Sequence, residues 1–285
     1  MNGAERELGA FRKRLVAAGL GRFADSLVSL ARPSVRLVPD PVTPVRDRSS
    51  RLGGPPDLPT SVAWPRRDDA PLSFVAQVNL ADVAPYDAEG LLPRDGLLSF
   101  FYDAVKQAAW GFDPADRGSA TVMYIPATAP VQRREPPTDL SNAGVFQVVG
   151  LRPRAEVTVP PWESYDVESV GMTQDEVFAY ADLLPDEDDV SHRLLGHPDP
   201  VQGDMQVKCQ LVTHGLYCGD ASGYLDPRAK ELLAGAAEWR LLLQVDSQRE
   251  AEMMWGDGGR IYYWIKHSDL VARDWESSWL MLQSG

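Results

Sequence analysis

The sequence predicts a strand-rich α+β fold, with two related β-rich halves behind an N-terminal helical segment, and three observations carry that prediction. Apolar residues near the N-terminus recur every three or four positions, as on one face of a helix. From residue 73 onward, short apolar runs bounded by turn residues dominate, without the strand–helix alternation of a parallel sheet. Three strings of the first half then recur in the second half in the same order.

Leu8, Phe11, Leu15, Leu20, Phe23, Leu27 and Leu30 form the apolar face of one or two helices, broken around Gly19-Leu20-Gly21. Pro33 stops this arm, assigned to residues 1–32, and Val35–Val38 reads as a strand. The Pro-, Arg- and Asp-rich stretch 46–69 reads as surface loop. Strands are expected at 73–78, 97–102 and 120–125, and again at 239–245 and 260–265. Between them, 126–163 is dense in proline and arginine and predicts a connector with edge strands at 145–151 and 155–159. Thr173 with Glu176 forms a capping box that opens a helix burying Val177, Tyr180, Ala181 and Leu184. The run Asp186-Glu187-Asp188-Asp189 lacks the spaced ligands of a calcium loop and reads as a solvated acidic linker. Asp226-Pro227 starts a further helix reaching about Ala234.

The repeat pairs Arg51-Leu52-Gly53-Gly54-Pro55-Pro56 with Arg193-Leu194-Leu195-Gly196-His197-Pro198. It also pairs Phe74–Asn79 with Leu241–Asp246, and Gly96–Phe101 with Gly259–Trp264. Half-repeats at about 46–125 and 190–283, joined by a connector at 126–189, would make up a domain spanning 33–285. Gln77 and Gln244 then occupy equivalent strands, where a buried amide must find partners or cost roughly 1–3 kcal/mol. Bracing of nearby backbone is their structural role, and ligand contact is the alternative.

Composition narrows the function. Across 285 residues, 41 acidic against 28 basic side chains leave a net charge of −13, which repels nucleic acid and anionic membrane alike. No apolar run is long enough to span a bilayer, the N-terminus lacks a signal-peptide pattern, and two cysteines make no disulfide framework. A soluble cytoplasmic protein is the expectation, with no cofactor assigned. His192, His197, Cys209, His214 and Cys218 crowd together, but their spacing has no zinc-knuckle pattern, so no metal is assigned to them. No nucleophile elbow or phosphate-binding glycine loop is present.

The strings Leu52-Gly53-Gly54-Pro55-Pro56, Trp64-Pro65, Pro71–Leu80 and Gly96–Asp103, followed by His192–Pro198, Gln202–Met205, Leu242–Ser247 and Met254–Gly259, resemble the YwqG-like family of bacterial proteins. The resemblance runs from about Val35 to Gln283 and is loose over 104–162. It implies a mixed strand-rich fold and a bacterial cytoplasmic setting, and it brings no catalytic residues.

Amphipathic aromatics and arginines mark binding hot spots, and an indole in a glycine-rich turn is hard to bury within that turn. The candidate binding residues are therefore Arg51, Trp64, Gln77, Arg193, Gln244, Asp246, Trp255 and Asp257. The favoured reading is a non-enzymatic protein-binding or regulatory module, immunity-like by analogy, whose acidity steers it to a basic partner. The alternative is an enzyme on a small polar or anionic substrate, with Arg51 or Arg193 gripping an anion and Asp246, Asp257 or a histidine moving protons.

Overall fold

A computed structural model describes residues 3–184 and 190–285; the acidic run 186–189 lies outside them. The strands are β1 (Arg32–Asp40), β2 (Arg51–Leu52), β3 (Asp57–Leu58), β4 (Arg66–Arg67), β5 (Ala70–Pro71), β6 (Ser73–Asn79) and β7 (Leu97–Tyr102). They continue as β8 (Ala120–Ile125), β9 (Gln132–Arg133), β10 (Val149–Thr158), β11 (Arg193–Leu194), β12 (Trp239–Asp246), β13 (Arg260–Lys266) and β14 (Trp279–Gln283). Ten of them join in one antiparallel sheet, ordered β14-β13-β12-β11-β1-β10-β2-β6-β7-β8, while β3 with β9 and β4 with β5 form small ribbons.

At the middle of the sheet, β1 and β10 pair along nine residues, from Arg32 opposite Thr158 to Asp40 opposite Gly150. Residues 149–158 are thus a central strand, which corrects the expected edge strands. Pro153 stands opposite Leu37, whose N–H turns the other way to His192 O, so the proline falls at a non-bonded pair and costs the β1–β10 ladder no donor. On either side the sheet continues in an arm of four strands, β2-β6-β7-β8 on one side and β11-β12-β13-β14 on the other.

The arms share local irregularities. Each inner strand shifts register at one position, between Phe74 and Ala76 in β6 and between Leu241 and Leu243 in β12. Past β2 the chain turns through Gly53 (φ 53°) and Gly54 (φ 68°), and past β11 through Leu195 (φ 60°) and Gly196 (φ 74°). Gly196 admits no side chain, because a Cβ there would stand 2.6 Å from both the Ser34 Cβ and the Thr158 hydroxyl. Leu195 holds the left-handed conformation at a cost of roughly 1 kcal/mol, which its burial offsets.

The two arms curl toward each other over a shared core. The rings of Phe100 and Tyr263 meet edge to face at 5.0 Å, and the Tyr263 hydroxyl donates to the carbonyl of Phe101. The opposite face of β12–β14 is covered by the helix Gln206–Thr213, packed on Trp239, Trp264 and Trp279. Trp64, with Leu58 and Phe74, covers the first arm; its indole N–H donates to Leu72 O and its ring meets Phe101 edge to face.

Helix α1 (Gly3–Ala17) and helix α2 (Ala24–Ser29) form as their apolar spacing requires, with the break at Gly19 in the left-handed conformation. Phe11, Leu15, Leu20 and Leu27 bury against Val167 and Tyr180. The capping box is present: Thr173 N–H donates to Glu176 Oε2 and Glu176 N–H to the Thr173 hydroxyl, opening the helix Gln174–Ala181. Asp226 accepts from Arg228 N–H as a turn cap, and the helix it precedes is shorter than expected, Ala229–Leu232, tightening into a 3-10 turn through Glu238.

Candidate functional site

In each arm a buried arginine and a buried glutamine meet an aspartate, and the three are joined in nearly the same way. In the first arm, Arg51 Nη1 donates to Asp57 Oδ2 at 2.8 Å and Arg51 Nη2 to Pro55 O at 2.6 Å. Gln77 accepts from Asp57 N–H at 3.0 Å and donates to both Ser49 O and Asp57 Oδ2. In the second arm, Arg193 Nη1 donates to Asp199 and to His197 O. Gln244 accepts from Asp199 N–H at 2.8 Å and donates to Ser191 O and Asp199 Oδ2. Every polar atom of the two buried amides is thereby satisfied, and each guanidinium clamps a turn.

Electrostatics fits a structural clamp. Burial pushes the Arg51 guanidinium below its ordinary value, offset in part by Asp57. Burial also opposes ionisation of Asp57, yet the hydrogen bonds from Arg51 and Gln77 outweigh it and hold the carboxyl below its usual range.

Around the second clamp the network widens. Asp246 accepts from Ser191 N–H and pairs with Arg260 Nε, both at 2.9 Å, while Arg260 Nη1 and the Tyr262 hydroxyl donate to Asp199 O. Glu156 lies 3.2 Å from Arg193 Nε. His192 accepts from Asp246 N–H at Nδ1 and faces Gln248 through Nε2, and burial lowers its pKa to about 4, so the ring stays neutral. In the first arm Ser50 stands in its place, its hydroxyl accepting from Asn79 N–H at 2.9 Å.

A cleft of about 600 Å³ opens beside this second clamp, between α1, the end of β10 and the turn 198–201. That volume suits a small molecule or a few side chains of a partner. Leu8, Phe11, Val159 and Pro161 supply apolar wall, and Trp162 stands 37% exposed on it, its ring 6.2 Å from that of Phe178. Of the charges lining the cleft, Arg193, Arg260, Glu156 and Asp199 are tied up in the network above, whereas Glu7 and Glu163 face solvent. The corresponding place in the first arm holds a smaller cavity of about 260 Å³, lined by Arg51, Arg133 and prolines 41, 44 and 55.

Among the residues singled out from sequence, Arg193, Gln244 and Asp246 come together at the second clamp and Arg51 and Gln77 at the first. Only Arg193 lines the large cleft. Trp255 departs from the expectation of an exposed indole. It is fully buried between Tyr102 and Phe146, at 6.1 and 5.5 Å, with its N–H on Asp246 O. The turn does not bury it; the two arms closing over it do. Asp257 is exposed in the turn that follows and Trp64 is core, so neither reaches the cleft. Trp162, Glu7 and Glu163 escaped the sequence reading, although Trp162 directly follows Pro160-Pro161, a stiff pair that holds an indole outward.

The residues weighed for zinc point elsewhere. His197 Nε2 donates to Leu30 O and His214 Nδ1 to Gln210 O, and among the described residues no three His, Cys, Asp or Glu side chains are grouped to hold a metal. Burial drives the Cys209 thiol well above its ordinary pKa and Cys218 to about 11, which disfavours the reactive thiolate. No described helix is long and apolar enough to cross a membrane. The model of a family described as a domain of unknown function, DUF1963, matches residues 50–284. No curated protein matches the chain.

Proposed function

We propose, from the premise that the chain belongs to the DUF1963 family, that it is a non-enzymatic binding module that receives a basic segment of a protein partner in the cleft beneath α1. One observation carries this reading: the arginines lining the cleft are spent on Asp199, Glu156 and Asp246, which leaves Glu7 and Glu163 as its solvent-facing charges beside the exposed face of Trp162. An aromatic face flanked by carboxylates favours a guanidinium or ammonium group, and the net charge of −13 steers such a partner inward. A regulatory or immunity-like role in the bacterial cytoplasm, as the YwqG-like resemblance suggests, is the setting of this reading.

An internal duplication belongs to the same reading, with half-repeats 46–125 and 190–283 built around the β1–β10 pair. Its support is the mirrored strand order, the paired register shifts and the twin Arg–Asp–Gln clamps. The enzymatic alternative loses its anion-gripping groups, because Arg51 and Arg193 spend their guanidinium groups on Asp57 and Asp199.

The test is fluorescence anisotropy with dye-labelled decalysine and, as control, decaglutamate. Wild type is expected to bind decalysine in a salt-sensitive manner, weakened about tenfold in Trp162→Ala and more in the Glu7→Lys, Glu163→Lys double variant. Equal affinity in all three proteins would place the binding elsewhere and sink the proposal.

A further inference from the structure

The turn 198–201 lines the cleft beneath α1, and its polar groups are taken up from behind. Asp199 gives its N–H to Gln244, its carboxylate accepts from Arg193, Gln244 and Ser191, and its carbonyl accepts from Arg260 and Tyr262. Val201 N–H donates to Gln283 Oε1 at 2.9 Å, and Pro198 and Pro200 have no N–H to give. The turn therefore presents two proline rings and the Val201 side chain to the cleft, with no free backbone N–H.

That apolar surface is open. Val201 is 39% exposed, and Pro198, Pro200, Leu8 of α1 and Val159 past the end of β10 are half-buried. The partly exposed indole of Trp162 continues it. Against this apolar lining stand two solvent-facing charges, Glu7 and Glu163. A segment made of basic residues alone would meet those carboxylates and leave the proline and valine surface in water. A segment that also carries aliphatic side chains would bury it, on a wall that two prolines and the bonds of Asp199 hold ready and that needs no ordering on binding.

We propose that the cleft reads a basic side chain flanked by aliphatic ones, not positive charge alone. The basic group meets Trp162, Glu7 and Glu163, and its aliphatic neighbours cover Leu8, the two prolines and Val201. This inference rests on the reading of a basic partner and specifies the rest of that partner's segment.

The probes are two dye-labelled peptides, Gly-Leu-Arg-Leu-Gly and Gly-Ala-Arg-Ala-Gly, titrated with the full chain by fluorescence anisotropy. The leucine peptide is expected to bind saturably and the alanine peptide about tenfold or more weakly. That ratio should hold as salt is raised, because apolar burial is not screened. Val201→Ser and Leu8→Ser should each shrink the ratio, whereas the Glu7→Lys, Glu163→Lys double variant should weaken both peptides alike. If a serine variant fails to fold, the two peptides on wild type still decide. Equal affinity for the two peptides overturns this proposal and leaves the charge reading standing, and so does binding of decalysine without saturable binding of the leucine peptide. A ratio unchanged in both serine variants overturns it too, by placing the leucine contacts outside the cleft. A preserved ratio with no response to the charge reversal would end the basic-partner reading, and this inference with it.

Discussion

The clamp at Arg51 and the clamp at Arg193 bind the same kinds of atoms in the same arrangement, yet only the second borders a large cleft. The first is closed off by short proline-rich segments and Arg133. The second is wrapped by Glu156, Arg260 and Tyr262 and roofed by α1. The difference separates two jobs. The Arg–Asp–Gln trio fixes a turn in both arms, and the larger cleft comes from what stands around it in only one of them.

The severest way to break this comparison is to remove one guanidinium at a time. Arg193→Met and Arg51→Met should each cost about 3–5 kcal/mol in urea unfolding, because each strands a buried carboxylate. Arg193→Met should cost more, since Glu156 loses one of its two arginine partners, keeping Arg36, at the same time as Asp199 loses Arg193. Equal losses would mean that the wider network adds nothing. Trp255→Ala, which empties the space where the arms meet, should also cost about 3–5 kcal/mol. A loss below 1 kcal/mol, small against the roughly 3–5 kcal/mol of such deletions, would show that the arms are held together by other contacts.

A pH titration sharpens the contrast between His192 and Ser50. The folded pKa of His192 is lowered to about 4, against roughly 6.5 when unfolded. Below 6.5 the unfolded chain binds the extra proton, so the contribution of His192 is complete above that pH and is lost as pH falls toward 4. That contribution is about 3 kcal/mol in all. His192→Ser, which installs the first arm's residue, should flatten the stability profile in that window. An unchanged slope would assign the acid sensitivity to other groups, buried His197 first among them. At the small end, Asp257→Ala should shift stability by less than about 0.5 kcal/mol, as expected for an exposed turn residue.

Much of the sheet was legible because its strands are short apolar runs between turn residues. The capping box at Thr173 was readable for a similar reason, being a contact between residues three apart. The string Arg51–Pro56 and its echo at Arg193–Pro198 pointed to the clamped turns, though not to the aspartate six residues past each arginine that completes them. Asp57 and Asp199 look like ordinary loop carboxylates until a glutamine from a distant strand reaches them. Trp255 was misread because its burial is supplied by Tyr102 and Phe146, more than a hundred residues away. The cleft was hidden for the same reason: α1, β10 and residue 260 meet only in the folded chain.

The long β1–β10 ladder also sets a timetable for synthesis. Arg32 and Thr158 bond across 126 residues of chain. β1 thus leaves the ribosome long before β10 and β11, the two strands it will lie between. Until they emerge, a nine-residue strand has both edges unpaired, exposed to misfolding or to pairing with another nascent chain. Closing so distant a contact makes the centre of the sheet late to form.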